Sequence, residues 1–239
     1  MPLMETTRSA PRTPAAGLES LDVLVPIRSL AGGKARLGGA IDAEEREELL
    51  VGMLRRTLEL LVEWPASRTV RVVSADPRAL AVAAETGAHA LSQPGEGLNA
   101  GLRLGLDAAR EAGASAVLIV PADLPLLATS SLDRLLDAAD AALAAGSGRP
   151  LVVIAPSDAR GGTNALLLSP PDIISPCFGT ASFEAHVRAA AAADATLQVV
   201  TDPGLGFDLD TPEDLDILPT DLVEELMALG RDAAGTAAE

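Results

Sequence analysis

The stretch Leu21-Asp-Val-Leu-Val-Pro-Ile27, followed by Arg28-Ser-Leu-Ala-Gly32-Gly33-Lys34-Ala-Arg36, decides the fold class. Its first seven residues are a short apolar run closed by a glycine-containing loop, the pattern of a strand buried on both faces of a parallel sheet. Asp42 is placed to cap a helix running to about residue 63, in which Leu50, Met53, Leu54, Leu58, Leu61 and Val62 recur at helical spacing. Glu44, Glu45, Glu47 and Glu48 load its first turns, where the helix dipole favours anions, and read as a solvated face. Strands at 69–74, 88–91, 116–120, 151–155, 165–168 and 197–200 alternate with helices at 77–86, 98–112, 130–145 and 182–193. A closing helix at 212–217 and a polar tail after Leu229 complete the chain. This alternation predicts an α/β fold, a three-layer αβα sandwich with a mostly parallel sheet. The expected division is a flexible tail over 1–20, one domain over 21–218, and a C-terminal helix and polar tail over 219–239. In such a sheet ligands bind beyond the carboxyl ends of the strands, so the residues just after strands are the informative ones.

Composition bounds the function. At 239 residues, with 48% hydrophobic and 22% charged residues, the chain can fill one sizeable core. No apolar run reaches the roughly 18 residues of a bilayer crossing, and residues 1–20 lack the apolar and basic regions of a signal peptide, so a cytoplasmic protein is expected. A net charge of −16 argues against nucleic acid and anionic membrane as partners, because their phosphates would be repelled over most of the surface. A small anion needs a locally basic pocket. Cys177, alone of its kind, forms no internal disulfide, and with only His89 and His186 it makes no zinc-like set. Any metal is therefore expected to take oxygen ligands, as Mg²⁺ does.

Only one of the 18 basic residues is a lysine, Lys34. It reads either as a survivor of arginine-rich coding or as a chosen charge. Its loop is no Walker motif, since Ala rather than Ser or Thr follows Lys34, and no dinucleotide fingerprint. Free backbone N–H groups around Gly32 and Gly33, with Arg28, Lys34 and Arg36 close in sequence, suit a triphosphate; a solvated surface loop is the alternative. After the strand at 116–120 comes Pro121-Ala-Asp123-Leu-Pro125, an acid pinned between prolines and placed for a metal or a turn. Phe207-Asp208-Leu-Asp210-Thr-Pro-Glu-Asp214 puts Asp208 and Asp210 on one side of an extended segment, although Asp210 or Thr211 also reads as a helix cap. Three such carboxylates together would need a cation, because close like charges resist joint ionisation.

The Gly-rich loop, Asp123 and the Asp208-Leu-Asp210 element resemble the glycosyltransferase-A-like, Rossmann-like nucleotidyltransferases. Three further segments are similar to the 2-phospho-L-lactate or phosphoenolpyruvate guanylyltransferases of deazaflavin coenzyme biosynthesis. They are Gly97-Leu-Asn99-Ala100, Asp158-Ala-Arg-Gly-Gly-Thr163-Asn164-Ala-Leu166, and Phe178-Gly179-Thr-Ala-Ser182-Phe-Glu-Ala-His186, within a resemblance covering about 21–218. The resemblance implies guanylyl transfer from GTP to a small phosphorylated carboxylic acid, phosphoenolpyruvate before 2-phospho-L-lactate, with release of pyrophosphate and hand-over of the product to a downstream enzyme. It implies that Thr163, Gly179 and Ser182 hold the acid, that Asp123, Asp208 and Asp210 hold Mg²⁺, and that Gln93, Gly97 and Asn99 meet the base and ribose. Lys34 and Arg36, with Asp123, are the expected catalytic residues; Arg28, Gly32, Gly33 and Lys34 the expected phosphate cradle. The family usually carries Lys where this chain has Arg28, so a planar fork replaces a point charge. His186 reads first as a helix-packing residue, and His89 and Cys177 as structural. Transfer to molybdopterin, sugar transfer and a non-catalytic nucleotide sensor are the rival readings.

Overall fold

The computed structural model describes residues 17–30, 32–93, 97–146, 148–157 and 161–235. Seven strands, β1 (Leu21–Ile27), β2 (Thr69–Ser74), β3 (His89–Ser92), β4 (Ala116–Ile119), β5 (Leu151–Pro156), β6 (Thr163–Ser169) and β7 (Thr196–Val199), form one sheet ordered β3-β2-β1-β4-β6-β5-β7. All neighbouring pairs are parallel except those of β6, which runs antiparallel to both β4 and β5. Each expected strand is present, with ends within about two residues, as is usual for boundaries read from pattern. The strand expected at 165–168 starts earlier, at Thr163, because it pairs with β5 past an irregularity at Ala155 and Pro156.

Among the described residues eight helices accompany the sheet: α1 (Ala43–Glu63), α2 (Pro77–Glu85), α3 (Leu98–Glu111), α4 (Thr129–Ala144), α5 (Ser182–Ala192), α6 (Pro203–Gly206), α7 (Pro212–Ile217) and α8 (Thr220–Gly235). Successive strand residues point to opposite faces, and the core divides accordingly. Val23, Val25, Val72, Leu118 and Val153 join side chains of α1, α2, α4 and α8 in one cluster. Leu24, Val117, Ile119, Ile154 and Leu166 join α3 and α5 residues in the other. The αβα sandwich follows from that alternation. The cap of α1 is as expected, with Asp42 accepting from Glu44 and Glu45 N–H and Glu45 returning the bond. Its glutamates are not merely solvated, since Glu47 pairs with Arg78 and Glu48 with Arg231. Val62, counted with the apolar face, is 38% exposed.

Two findings revise the expected ends. The helix α8 extends through Gly235, so the chain is still helical where a polar tail after Leu229 was expected. It lies against α1 at glycine contacts: a Cβ on Gly52 would stand 1.8 Å from the Leu226 carbonyl oxygen, and one on Gly230 2.0 Å from that of Glu48. The expected tail over 1–20 falls outside the described residues up to 16; beyond it, Leu18 is buried in the core and the Gly17 carbonyl accepts from Ser169.

The amino end of β1 carries a buried charge. Asp22 is fully buried, 2.8 Å from Arg68 Nε and hydrogen-bonded to Arg71, which ties β1 to β2 away from the ligand-binding edge. Removing Asp22 leaves both arginines unpaired, although each keeps part of its solvent exposure. Asp22→Ala is therefore expected to lower the urea midpoint, by less than the roughly 3–5 kcal/mol lost on breaking a fully buried pair. Asp22→Leu combined with Arg71→Leu should recover most of the loss, and an unchanged midpoint in the single variant would contradict the role.

Candidate active site

The strand order reverses between β1 and β4, and the crevice beyond their carboxyl ends is where a doubly wound sheet receives ligands. A cavity of ≈ 610 Å³ opens there, within the usual size range of small-molecule sites. Loops after β1 and β4 supply Arg28, Gly33, Lys34 and Asp123, and the end of β5 supplies Ser157. Because β6 is antiparallel, its beginning, not its end, reaches this edge and brings Thr163 and Asn164. Gly179, Ser182, Asp208 and Asp210 complete the polar wall, with Leu50 and Met53 of α1 among the apolar lining. A second cavity of ≈ 240 Å³ is lined by Gln93, Gly97, Leu98 and Gly101, and shares Pro26, Ile27, Arg28 and Leu98 with the first.

Lys34 lies at the centre of the charge distribution. Its ammonium is 2.5 Å from Asp123 Oδ2 and hydrogen-bonded to Asp210 Oδ1. Burial alone would lower the ammonium's pKa, but the charges and hydrogen bonds of Asp123 and Asp210 outweigh it and hold it above its ordinary value. The backbone of Lys34 is left-handed, at φ 51° and ψ 43°, a conformation that costs a non-glycine residue about 1–3 kcal/mol and recurs at functional sites. Gly33 before it packs tightly, since a Cβ would stand 2.8 Å from the Ser29 carbonyl oxygen. Asp123 is tied to the acidic segment through its carbonyl, which accepts Leu209 N–H at 3.0 Å. The N-cap of α7 is Thr211, not Asp210, with Asp214 accepting from both Asp210 and Thr211 N–H. The Asp210 carboxylate is thereby left to face the lysine.

The expected three-carboxylate metal cluster is not assembled. Among the described residues no three acidic, histidine or cysteine side chains come within reach of one ion. Asp208 lines the same cavity as Asp210, as their alternation predicted, but it accepts from Ser157 Oγ at 2.7 Å and is approached by Asn164 Nδ2 at 3.4 Å. Asp123 and Asp210 do converge on a single positive charge, a donor set that fits one hard divalent cation.

The three residues expected at the acid lie together. Thr163 N–H donates to Ser182 Oγ at 2.9 Å, and Thr163 Oγ1 is 2.9 Å from His186 Nδ1. Gly179 has φ 135°, open space where a Cβ would stand, and a place on the cavity wall. Ser182 opens α5, whose N-terminus favours anions. His186 is fully buried and packs edge-on against Phe178 at 5.0 Å between ring centroids, so the packing role expected of it is present together with the hydrogen bond to Thr163.

Other residues part from expectation. Arg36 is exposed and lines neither cavity, and Gly32 is likewise outside both. Asn99 does not face the nucleotide side: its amide accepts Phe178 N–H and donates to the Phe178 carbonyl, both at 2.9 Å, clamping the loop that carries Gly179. Of the base-side loop, Gln93 and Gly97 are in the second cavity, and 94–96 lie outside the described residues. Asp158 and Arg160, quoted above, also lie outside them. His89 is exposed on the edge strand β3, and Cys177 is exposed while its N–H donates to His186 Nε2. Sequence reasoning missed Ser157 and the role of Asn164, whose amide donates to the Leu205 and Gly206 carbonyls at 2.9 and 3.1 Å and anchors the acidic segment. The position of Ser157, just after a strand, was the available signal.

Comparison with known proteins gives a consistent result. A family model described as guanylyl transferase CofC like matches residues 21–223. The chain is 44% identical over 196 residues to a phosphoenolpyruvate guanylyltransferase of Rubrobacter xylanophilus, covering 82% of this chain and 92% of the relative. It is 40% identical to one of Sphaerobacter thermophilus, covering 82% and 90%, and 28% identical to a 3-phospho-D-glycerate guanylyltransferase of Colwellia psychrerythraea, covering 82% and 90%. Among solved structures, a protein of Desulfovibrio desulfuricans described as a nucleotide-diphospho-sugar transferase superposes with TM-score 0.69 at 17% identity, covering 89% of this chain and 97% of that one. The likeness to that structure concerns the fold. The sheet order, the crevice at its reversal and the family match over 21–223 lead to one conclusion: the chain belongs to the guanylyl transferase CofC like family.

Proposed function

We propose that this protein transfers the guanylyl group of GTP to the phosphate of phosphoenolpyruvate, releasing pyrophosphate. The observation that carries the proposal is one cavity whose lining gathers two cations, Arg28 and Lys34, and two hydroxyls, Thr163 and Ser182, together with Asp123, Asp208 and Asp210; we assign the cations and the hydroxyls to separate walls. Relatives at 44% and 40% identity that bear the name phosphoenolpyruvate guanylyltransferase support the choice of acid.

In this reading the triphosphate lies against Arg28 and Lys34, and the base enters the second cavity beside Gln93 and Gly97, with Arg28 at the boundary of the two. The acid is held at Thr163, Ser182 and the backbone of Gly179. A phosphate oxygen of the acid forms a bond to the α-phosphorus while the α-phosphorus to bridging-oxygen bond breaks and its electron pair leaves with pyrophosphate. No proton need move, because the nucleophile is already an anion. The protein's contribution is alignment and charge neutralisation. Asp123 and Asp210 would hold Mg²⁺, which when bound supplies neutralising charge at the phosphate oxygens.

Purified protein given GTP, Mg²⁺ and each of phosphoenolpyruvate, 2-phospho-L-lactate and 3-phospho-D-glycerate should release pyrophosphate with the highest kcat/KM for phosphoenolpyruvate. Release of GDP in place of pyrophosphate would overturn the reaction class, and preference for another acid would reassign the acceptor. The two walls should also separate kinetically. A hydrogen bond to a charged group contributes roughly 1.5–3 kcal/mol, so Ser182→Ala should raise KM for the acid about tenfold or more and leave GTP nearly unaffected. Lys34→Ala should raise KM for GTP instead. The reverse pattern would exchange the two sub-sites.

A further inference from the structure

His186 lies behind the acid wall, and its two ring nitrogens have different partners. Nε2 is 2.9 Å from the backbone nitrogen of Cys177, a group that only donates, so Nε2 must be an unprotonated acceptor. Burial pushes the imidazole's pKa down to about 4, so the ring is neutral at neutral pH and carries one proton. That proton is then on Nδ1, and Thr163 Oγ1 at 2.9 Å must accept it. With its acceptor side occupied from behind, the Thr163 hydroxyl has its own proton free to donate toward the cavity that it lines. Ser182 repeats the arrangement, since its Oγ accepts Thr163 N–H at 2.9 Å and it too lines the cavity. A hydroxyl on its own rotates freely; each of these two accepts a bond from behind, which biases its own proton away from that donor before any anion arrives.

We propose that His186 is a positioning residue for the phosphorylated acid, a fixed tautomer that directs the Thr163 hydroxyl proton into the site while its other nitrogen holds the loop from Cys177 to Gly179. The proposal rests on the acid sub-site assigned above and adds the group that orients it. The same ring joins the two sides of that sub-site, because Thr163 begins β6 and Cys177 precedes the turn carrying Gly179.

The tautomer is measured directly on full-length protein labelled with ¹⁵N-histidine, with His89→Gln leaving His186 as the only signal. Long-range proton–nitrogen spectra should place the proton on Nδ1; a proton on Nε2, or a doubly protonated ring at neutral pH, would overturn the proposal whatever the reaction proves to be. Kinetics then separates orientation from packing. An asparagine amide nitrogen stands near the Nδ1 position and keeps a donor to Thr163, whereas a glutamine amide oxygen stands near Nε2 and keeps only the acceptor for Cys177. His186→Gln should raise KM for phosphoenolpyruvate about tenfold with kcat and KM for GTP near wild type, and His186→Asn should stay within about threefold of wild type. The opposite ranking would mean that His186 only packs the turn. If the wild-type protein transferred guanylyl groups to none of the acids, the proposed reaction would fail while the spectra still decided the tautomer.

Discussion

Asp123 and Asp210 reach one place from segments 87 positions apart in sequence, and the ammonium of Lys34 stands between them. Two carboxylates so placed repel each other unless a cation stands between them. The lysine removes that conflict from a loop after β1 that has a left-handed backbone at Lys34, a tight seat for Gly33 and a short 3-10 turn at Ala35–Gly39. The same side chain belongs to the cationic wall assigned to the triphosphate. In the proposed reaction a polyphosphate that draws the ammonium toward itself leaves two carboxylates in need of another cation, which gives a physical reason for nucleotide and metal to bind together.

Around this charged centre, neutral amides do the holding. Asn164 bonds the carbonyls of Leu205 and Gly206, and Asn99 pairs both ways with the Phe178 backbone. The Thr211 to Asp214 capping box sets the exit of the acidic segment. Each is a buried or half-buried polar group that bonds backbone, and Asn164 also approaches the Asp208 carboxylate, so the loops are held largely by main-chain bonds. The site is thus assembled from loops, but the loops are anchored to strand ends and helix starts.

Much of this was legible from residue pattern. The buried run at Leu21–Ile27, the alternation of strands and helices, and the placing of Lys34 and Asp123 after strands and of Asp208 before a helix follow local rules that the core enforces, whereas Thr163 and Ser182 were singled out by the family resemblance. What was not legible depends on contacts between distant segments. The antiparallel course of β6 leaves no local mark, because a buried strand reads the same in either direction. Arg36 counts as a cation in sequence, yet the 3-10 turn carries it into solvent. Asn99 stands at the start of α3 in a segment read as base-binding, and its amide goes to Phe178, 79 positions away. The three aspartates look equivalent until Ser157 and Asn164 take hold of Asp208 and Lys34 takes the other two.

In the proposed reaction catalysis is alignment: an anion on the hydroxyl wall meets the α-phosphorus on the cationic wall in one displacement, with no group of the protein bonded to the guanylyl unit along the way. The stereochemistry at the α-phosphorus tests this most directly. With a single diastereomer of the α-thio analogue of GTP and phosphoenolpyruvate, one in-line displacement gives a product of inverted configuration. Retention would show two displacements through a covalent enzyme intermediate and would rule out direct transfer.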